Sequence, residues 1–138
     1  MSGDKVSNDQ YLKEILSTVK TIAVVGASSK PDKDSYRVME VLINFGYEVF
    51  PVNPNYEGER ILGKECYPNL KSIKEKVDMV DIFRNKDFIF NLTKEAIEIK
   101  AEVLWTQEGI THEEAANLGR RAGLVVVMDE CPKKILEG

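Results

Sequence analysis

Histidine occurs once in these 138 residues, as His112, and tryptophan once, as Trp105. With one histidine there is no recognisable Ser-His-Asp set, and no metal-ligand cluster or close pair of catalytic carboxylates stands out either. Cysteine is nearly as scarce. Cys66 and Cys131 follow no spacing pattern, which excludes a disulfide framework and a thiolate metal site. No apolar run approaches the roughly 20 residues of a membrane span, and the N-terminal stretch lacks a signal-peptide apolar region. A cytoplasmic protein with no membrane partner is the expectation. Positive charge is not in excess, with 19 Lys and Arg against 23 Asp and Glu for a net charge of −4. General nucleic-acid affinity is therefore not expected. Glutamine is rare beside abundant Lys and Glu, which leans towards a heat-adapted source. Repeats, linkers and low-complexity segments are missing too.

What is present is a regular alternation. A content of 43% hydrophobic and 30% charged residues describes a globular chain. Its length fits one domain over residues 1–138, with a flexible terminus over 1–6. Ser7 and Gln10 make a capping box for a first helix whose apolar face is Tyr11, Leu12, Ile15, Leu16 and Val19. Five short apolar runs read as strands: Thr21–Val25, Tyr47–Val52, Asp78–Phe83, Ala101–Trp105 and Leu124–Met128. Helices intervene, one capped at Asp34 or Ser35 with Val38, Val41, Leu42 and Phe45 on one face. Another covers Asp87–Lys100, and a third starts from a Thr111–Glu114 capping box that contains His112. Strands alternating with helices predict an α/β fold with a doubly wound, five-stranded parallel sheet, and the order is read as 3-2-1-4-5. Pro51 cannot donate a ladder bond, so an edge is expected there. Residues 53–70 form the longest irregular segment, the kind that usually serves a function or covers something.

Chemistry concentrates after the first strand. Gly26 ends it, and a polar loop then carries Ser28, Ser29, Lys30 and Lys33 into a helix with Arg37 in its first turn. Strand, loop and helix N-terminus in that order make an anion site, because unpaired amides and the helix dipole point into the loop. The glycine spacing matches neither the dinucleotide fingerprint nor the P-loop. In NAD-binding folds an acidic residue at the end of the second strand holds the ribose hydroxyls. Here Val52, Asn53, Pro54 and Asn55 stand there, with Glu57 and Glu59 only later. A ribose carrying a phosphate suits Lys30, Lys33, Arg37 and Arg84 better, which leaves NADP and coenzyme A open.

The blocks VVGASSKPDKDSYRV, GYEVFPVNPNYEGERILGKECYPNL, DIFRN, LWTQEGI and VVVMDECP, in this order from about Lys20 to Pro132, resemble the small stand-alone coenzyme A-binding proteins. They are more distantly similar to the N-terminal domain of the succinyl-CoA synthetase alpha subunit. The resemblance implies a Rossmann-like, nucleotide-binding domain with coenzyme A as its ligand, laid across the carboxyl edge of the sheet. It gives the pyrophosphate to Gly26, Ala27, Ser28, Ser29 and Lys30, with Tyr36 and Arg37, and the cationic loop adds Lys33. Adenosine would fall to Val52, Asn53, Pro54, Asn55, Phe83 and Arg84. The pantetheine arm would lie against Trp105, Thr106, Gln107, Glu108 and Gly109. The synthetase histidine belongs to a second domain this chain lacks, so binding of coenzyme A or an acyl-CoA without catalysis is the expectation. A NADP-dependent oxidoreductase, a ligase component needing a partner and an acyl-CoA sensor are the alternatives. Phe90 and Ile97, on a second helix face, are read as a homodimer contact. Cys131, three residues past the fifth strand, is either a small filler or a thiol facing the ligand.

Overall fold

Thr21–Val25 (β1) is hydrogen-bonded on both sides, which is why so short a run needs four fully buried apolar residues. Its side chains alternate between two cores. Ile22 and Val24 pack with Leu12, Leu16, Met39, Leu42 and Ile135, whereas Ala23 and Val25 pack with Leu70, Ile89, Ala96, Leu104 and Ala115. The computed structural model describes residues 3–138. Met1, Ser2 and the side chains of residues 3–7 lie outside the described residues, and with them the flexible terminus and the Ser7 half of the first capping box.

The remaining elements are α1 (Gly3–Thr18), α2 (Asp34–Asn44), β2 (Glu48–Val52), β3 (Arg60–Ile61), β4 (Lys64–Glu65), β5 (Met79–Ile82), α3 (Ile89–Glu98), β6 (Val103–Thr106), α4 (Glu113–Arg121), β7 (Val125–Val127) and α5 (Pro132–Glu137). Helices α1, α2 and α5 cover one face of the sheet, and α3 and α4 cover the other. The fold is Rossmann-like and doubly wound, with five parallel strands as the sequence predicts.

The strand order is β2-β1-β5-β6-β7. Counting the five sheet strands along the chain, the third thus pairs with the first instead of lying outside the second, as the order 3-2-1-4-5 required. The reason sits in residues 53–77. Where a regular unit would have a helix and an outer strand, the β3–β4 hairpin and a 3₁₀ turn at Leu70–Ser72 intervene. Tyr67 takes the outer edge of β2, its amide donating to the Pro51 carbonyl at 2.9 Å and its carbonyl accepting from Asn53 at 2.9 Å. Leu70, Ile73 and Val77 then cross the second face and deliver β5 to the far side of β1. Pro51 faces the edge, where its missing N–H costs nothing.

Several local expectations shift. The apolar stripe of α2 ends at Leu42, because Phe45 forms the C-cap and is 51% exposed. Lys33, not Asp34 or Ser35, is the N-cap of α2, and it makes no side-chain capping bond. His112, not Thr111, caps α4, its Nδ1 accepting from the Ala115 amide at 3.1 Å. The buried face of α4 is Ala115, Ala116 and Gly119. At Gly119 a Cβ would come within 2.9 Å of Val126 Cγ2, so only glycine lets the helix lie this close to β7. Phe90 and Ile97 pack partly into the second core, and the Phe90 ring centroid stands 6.0 Å from that of His112. Part of that face is thus covered by the same chain.

Candidate functional site

Chain direction across the sheet reverses at β1. Its carboxyl end leads to α2 on one face, while the carboxyl end of neighbouring β5 leads to α3 on the other. A crevice must open between the two departing loops, and open α/β sheets bind ligands there. The floor is the contact of Gly26 with Phe83 and Arg84. Because β5 is β1's neighbour, the crevice lies between the first and third sheet strands, not between the first and fourth.

Two hollows meet at Gly26. The larger, about 470 Å³, is lined by Gly26, Ala27, Ser28, Lys33, Asp34, Ser35, Asn53, Asn55, Tyr56, Phe83, Gln107, Glu108 and Ile110. The smaller, about 240 Å³ and more apolar, is lined by Val25, Gly26, Val52, Pro54, Pro68, Asn69, Leu70, Arg84, Phe88, Asn91, Leu92 and Glu95. In it the Arg84 guanidinium lies 3.8 Å from the Phe88 ring centroid, presenting a flat cationic surface beside an aromatic one. Gln107 and Glu108 also line a groove of about 240 Å³, with Arg37 and Val38 of α2 and Cys131, Lys133 and Lys134 of the closing turn.

The polar groups sort into those that hold the site and those that face it. The amides of Gly26 and Ala27 both donate to the Val52 carbonyl, at 2.9 and 3.3 Å, so the front of the loop is anchored to β2. Asn53 completes the anchor: its Nδ2 donates to the Ala27 carbonyl at 2.8 Å and its Oδ1 accepts from the Asn55 amide at 2.9 Å. The donors left for an anion come from the first turn of α2, where Lys33 gives no side-chain cap. Tyr56 closes the cleft opposite. Hydrogen bonds from Ser28 and then Ser29 pull its hydroxyl below the ordinary tyrosine pKa, and Lys30 acts in the same direction.

The four cations read from the sequence as one cluster are distributed. Lys33 lines the cleft, Arg84 the apolar hollow and Arg37 the groove, while Lys30 is exposed on the loop beside Tyr56. Arg37 pairs with Asp34 at 3.7 Å and Lys134 with Glu108 at 2.9 Å, so the two carboxylates nearest the cleft are countered. Tyr36 is half-buried against the first core. Trp105 presents nothing to a ligand, being fully buried with its Nε1 donating to the Glu130 carbonyl at 2.9 Å. Thr106 is also buried, its hydroxyl donating to Ile110 O at 2.7 Å and accepting from the Asp129 amide at 3.2 Å. The Gly109 amide is bound by Asp129 at 2.6 Å. Of that turn, Gln107 and Glu108 line the cleft.

Sequence reasoning missed Ser35, Tyr56, Ile110, Phe88, Asn91 and Glu95. Tyr56 and Phe88 could have been marked as aromatics in polar loop segments. Asn91 and Glu95 lie one helical turn apart on α3, a spacing that looks like an ordinary solvated face.

The sequence matches the family described as CoA binding domain over residues 20–137. The uncharacterised protein YneT of Bacillus subtilis is 38% identical over 122 residues, covering 88% of this chain and 89% of that one. A hypothetical protein from Pyrococcus horikoshii of known structure superposes with a TM-score of 0.88 at 39% identity, covering 94% of this chain and 89% of that one. The alpha subunit of ADP-forming acetate–CoA ligase I from Pyrococcus furiosus is 36% identical over 86 residues, 59% of this chain but only 19% of that subunit. A match that begins one residue before β1 and takes in the whole sheet settles the affiliation: this chain belongs to the CoA-binding domain family.

Proposed function

We propose that this protein binds coenzyme A across the carboxyl edge of the sheet as a binding module, without catalysis of its own. One observation carries the reading: the apolar hollow shares Gly26 with the cleft, and the cleft shares Gln107 and Glu108 with the groove, so the three adjoin as a track. The hollow beside Phe88 and Arg84 takes the adenine ring, by stacking. Val52 and Pro54 form its wall. The diphosphate lies at the first turn of α2 with Lys33, Ser28 and Ser35, where the helix dipole and uncapped amides favour negative charge. Gln107 and Glu108 then flank the pantetheine arm. The missing carboxylate at the end of β2 supports a phosphorylated ribose over a free diol.

Thermal unfolding with coenzyme A, dephospho-coenzyme A, NAD and NADP tests the reading. Coenzyme A at about 100 times its dissociation constant adds nearly 3 kcal/mol to the folded state. The expected order of shifts is coenzyme A first, then dephospho-coenzyme A, with NAD smallest. A larger shift with NADP than with coenzyme A overturns the assignment.

A further inference from the structure

The groove at the far end of the track has a feature that binding alone does not use. Cys131, a free cysteine 5% exposed, lines it. Gln107 lines both groove and cleft, 8% exposed, and its Oε1 is buried without a hydrogen-bond partner among the described residues. A buried acceptor left unpaired costs free energy until a donor arrives. The pantetheine arm carries two amide N–H groups and ends in a thiol, and Gln107 and Cys131 line the same groove.

Resting on the coenzyme A reading, we propose that Cys131 is a thiol–disulfide exchange site for the sulfur end of that ligand. The Cys131 thiolate attacks one sulfur of a coenzyme A disulfide whose nearer half occupies the track. A bond forms between Cys131 Sγ and that sulfur while the ligand's S–S bond breaks. The departing coenzyme A leaves as a thiolate and takes up the proton that Cys131 released. Cys131 is oxidised to a mixed disulfide, one coenzyme A unit is reduced to its thiol, and no other oxidant enters. Lys133 and Lys134 also line the groove, Lys133 paired with Glu137 at 2.8 Å. Lys134 is fixed there by Glu108 at 2.9 Å. Cys66 is 1% exposed, and burial raises its thiol pKa, so it is the poorer nucleophile.

The test is intact-mass analysis of the full chain incubated with coenzyme A disulfide, followed by peptide mapping. The expected result is one coenzyme A unit per chain, on the peptide containing Cys131, removed by dithiothreitol and absent in Cys131→Ser and Cys131→Ala. Glutathione disulfide at equal concentration should react at least about tenfold more slowly, because it lacks the effective concentration that binding provides. Equal rates with the two disulfides, an adduct on Cys66 or no adduct each overturn the proposal. A parallel thermal shift with reduced coenzyme A under reductant separates the two readings. Stabilisation without an adduct removes the exchange site alone, whereas neither signal removes both.

Discussion

Gly26 lies so close to the chain leaving β5 that a Cβ built on it would stand 3.2 Å from both the carbonyl carbon and the carbonyl oxygen of Phe83. Its φ is +89°, a region that costs an L-residue roughly 1–2 kcal/mol. Both constraints act at the residue where the apolar hollow and the cleft meet. Gly26→Ala should therefore destabilise the fold by about 1–3 kcal/mol and weaken coenzyme A binding besides. Urea unfolding gives the first number and calorimetric titration the second. Wild-type values of both would mean that the contact relaxes freely and shapes nothing.

Phe88 is 41% exposed and lines the apolar hollow with Arg84, so its ring is open to a ligand base. Stacking of a base on an aromatic ring contributes about 1–3 kcal/mol. Phe88→Ala is expected to lower coenzyme A affinity by that amount while changing folding stability little. Unchanged affinity in a calorimetric titration places the base elsewhere.

The sequence puts Lys33 and Arg37 in one cationic cluster and favours Arg37 as the phosphate ligand, yet the two line different hollows. Lys33 borders the cleft, and Arg37 is paired with Asp34 beside the groove. Lys33→Ala should weaken coenzyme A binding by roughly 1 kcal/mol, the modest size expected of an exposed charge, and should flatten its salt dependence. Arg37→Ala should do less. A larger loss at Arg37 would move the diphosphate into the groove.

Strand positions and the two-faced sheet were legible because short β-branched runs alternating with amphipathic helices leave few architectures open. Strand order was harder, since hydrophobic pattern records burial and not neighbours. One residue did carry the information. Pro51 marks β2 as an edge, which is incompatible with a third strand outside it, and the bridge through Tyr67 is how the chain closes that edge. The loop after β1 was legible as an anion site from residue types alone. That Gly26 and Ala27 give their amides to Val52 was not, because a hydrogen bond across 26 residues leaves no local trace. Trp105 shows the same limit: a strand-end aromatic reads alike as core or ligand contact, and its bond to Glu130 decides for core.

Asp81 sits mid-strand in β5, between Val24 and Trp105, fully buried with neither carboxyl oxygen hydrogen-bonded among the described residues. Burial pushes its carboxyl well above the usual carboxylate range. In the window between the ordinary value and that raised one, the folded chain holds a proton that the unfolded chain has released. Stability must then fall as pH rises through this window, by at most about 1.4 kcal/mol per pH unit for one group. Asp81→Asn keeps the shape and removes the titration. Its stability relative to wild type should therefore increase with pH above the ordinary carboxylate range and reach a constant difference in acid. Urea unfolding of both proteins at several pH values from 4 to 8 measures the difference. A difference that stays flat across that range would mean that a partner compensates the Asp81 charge in the folded protein, and would retire the neutral-carboxyl account.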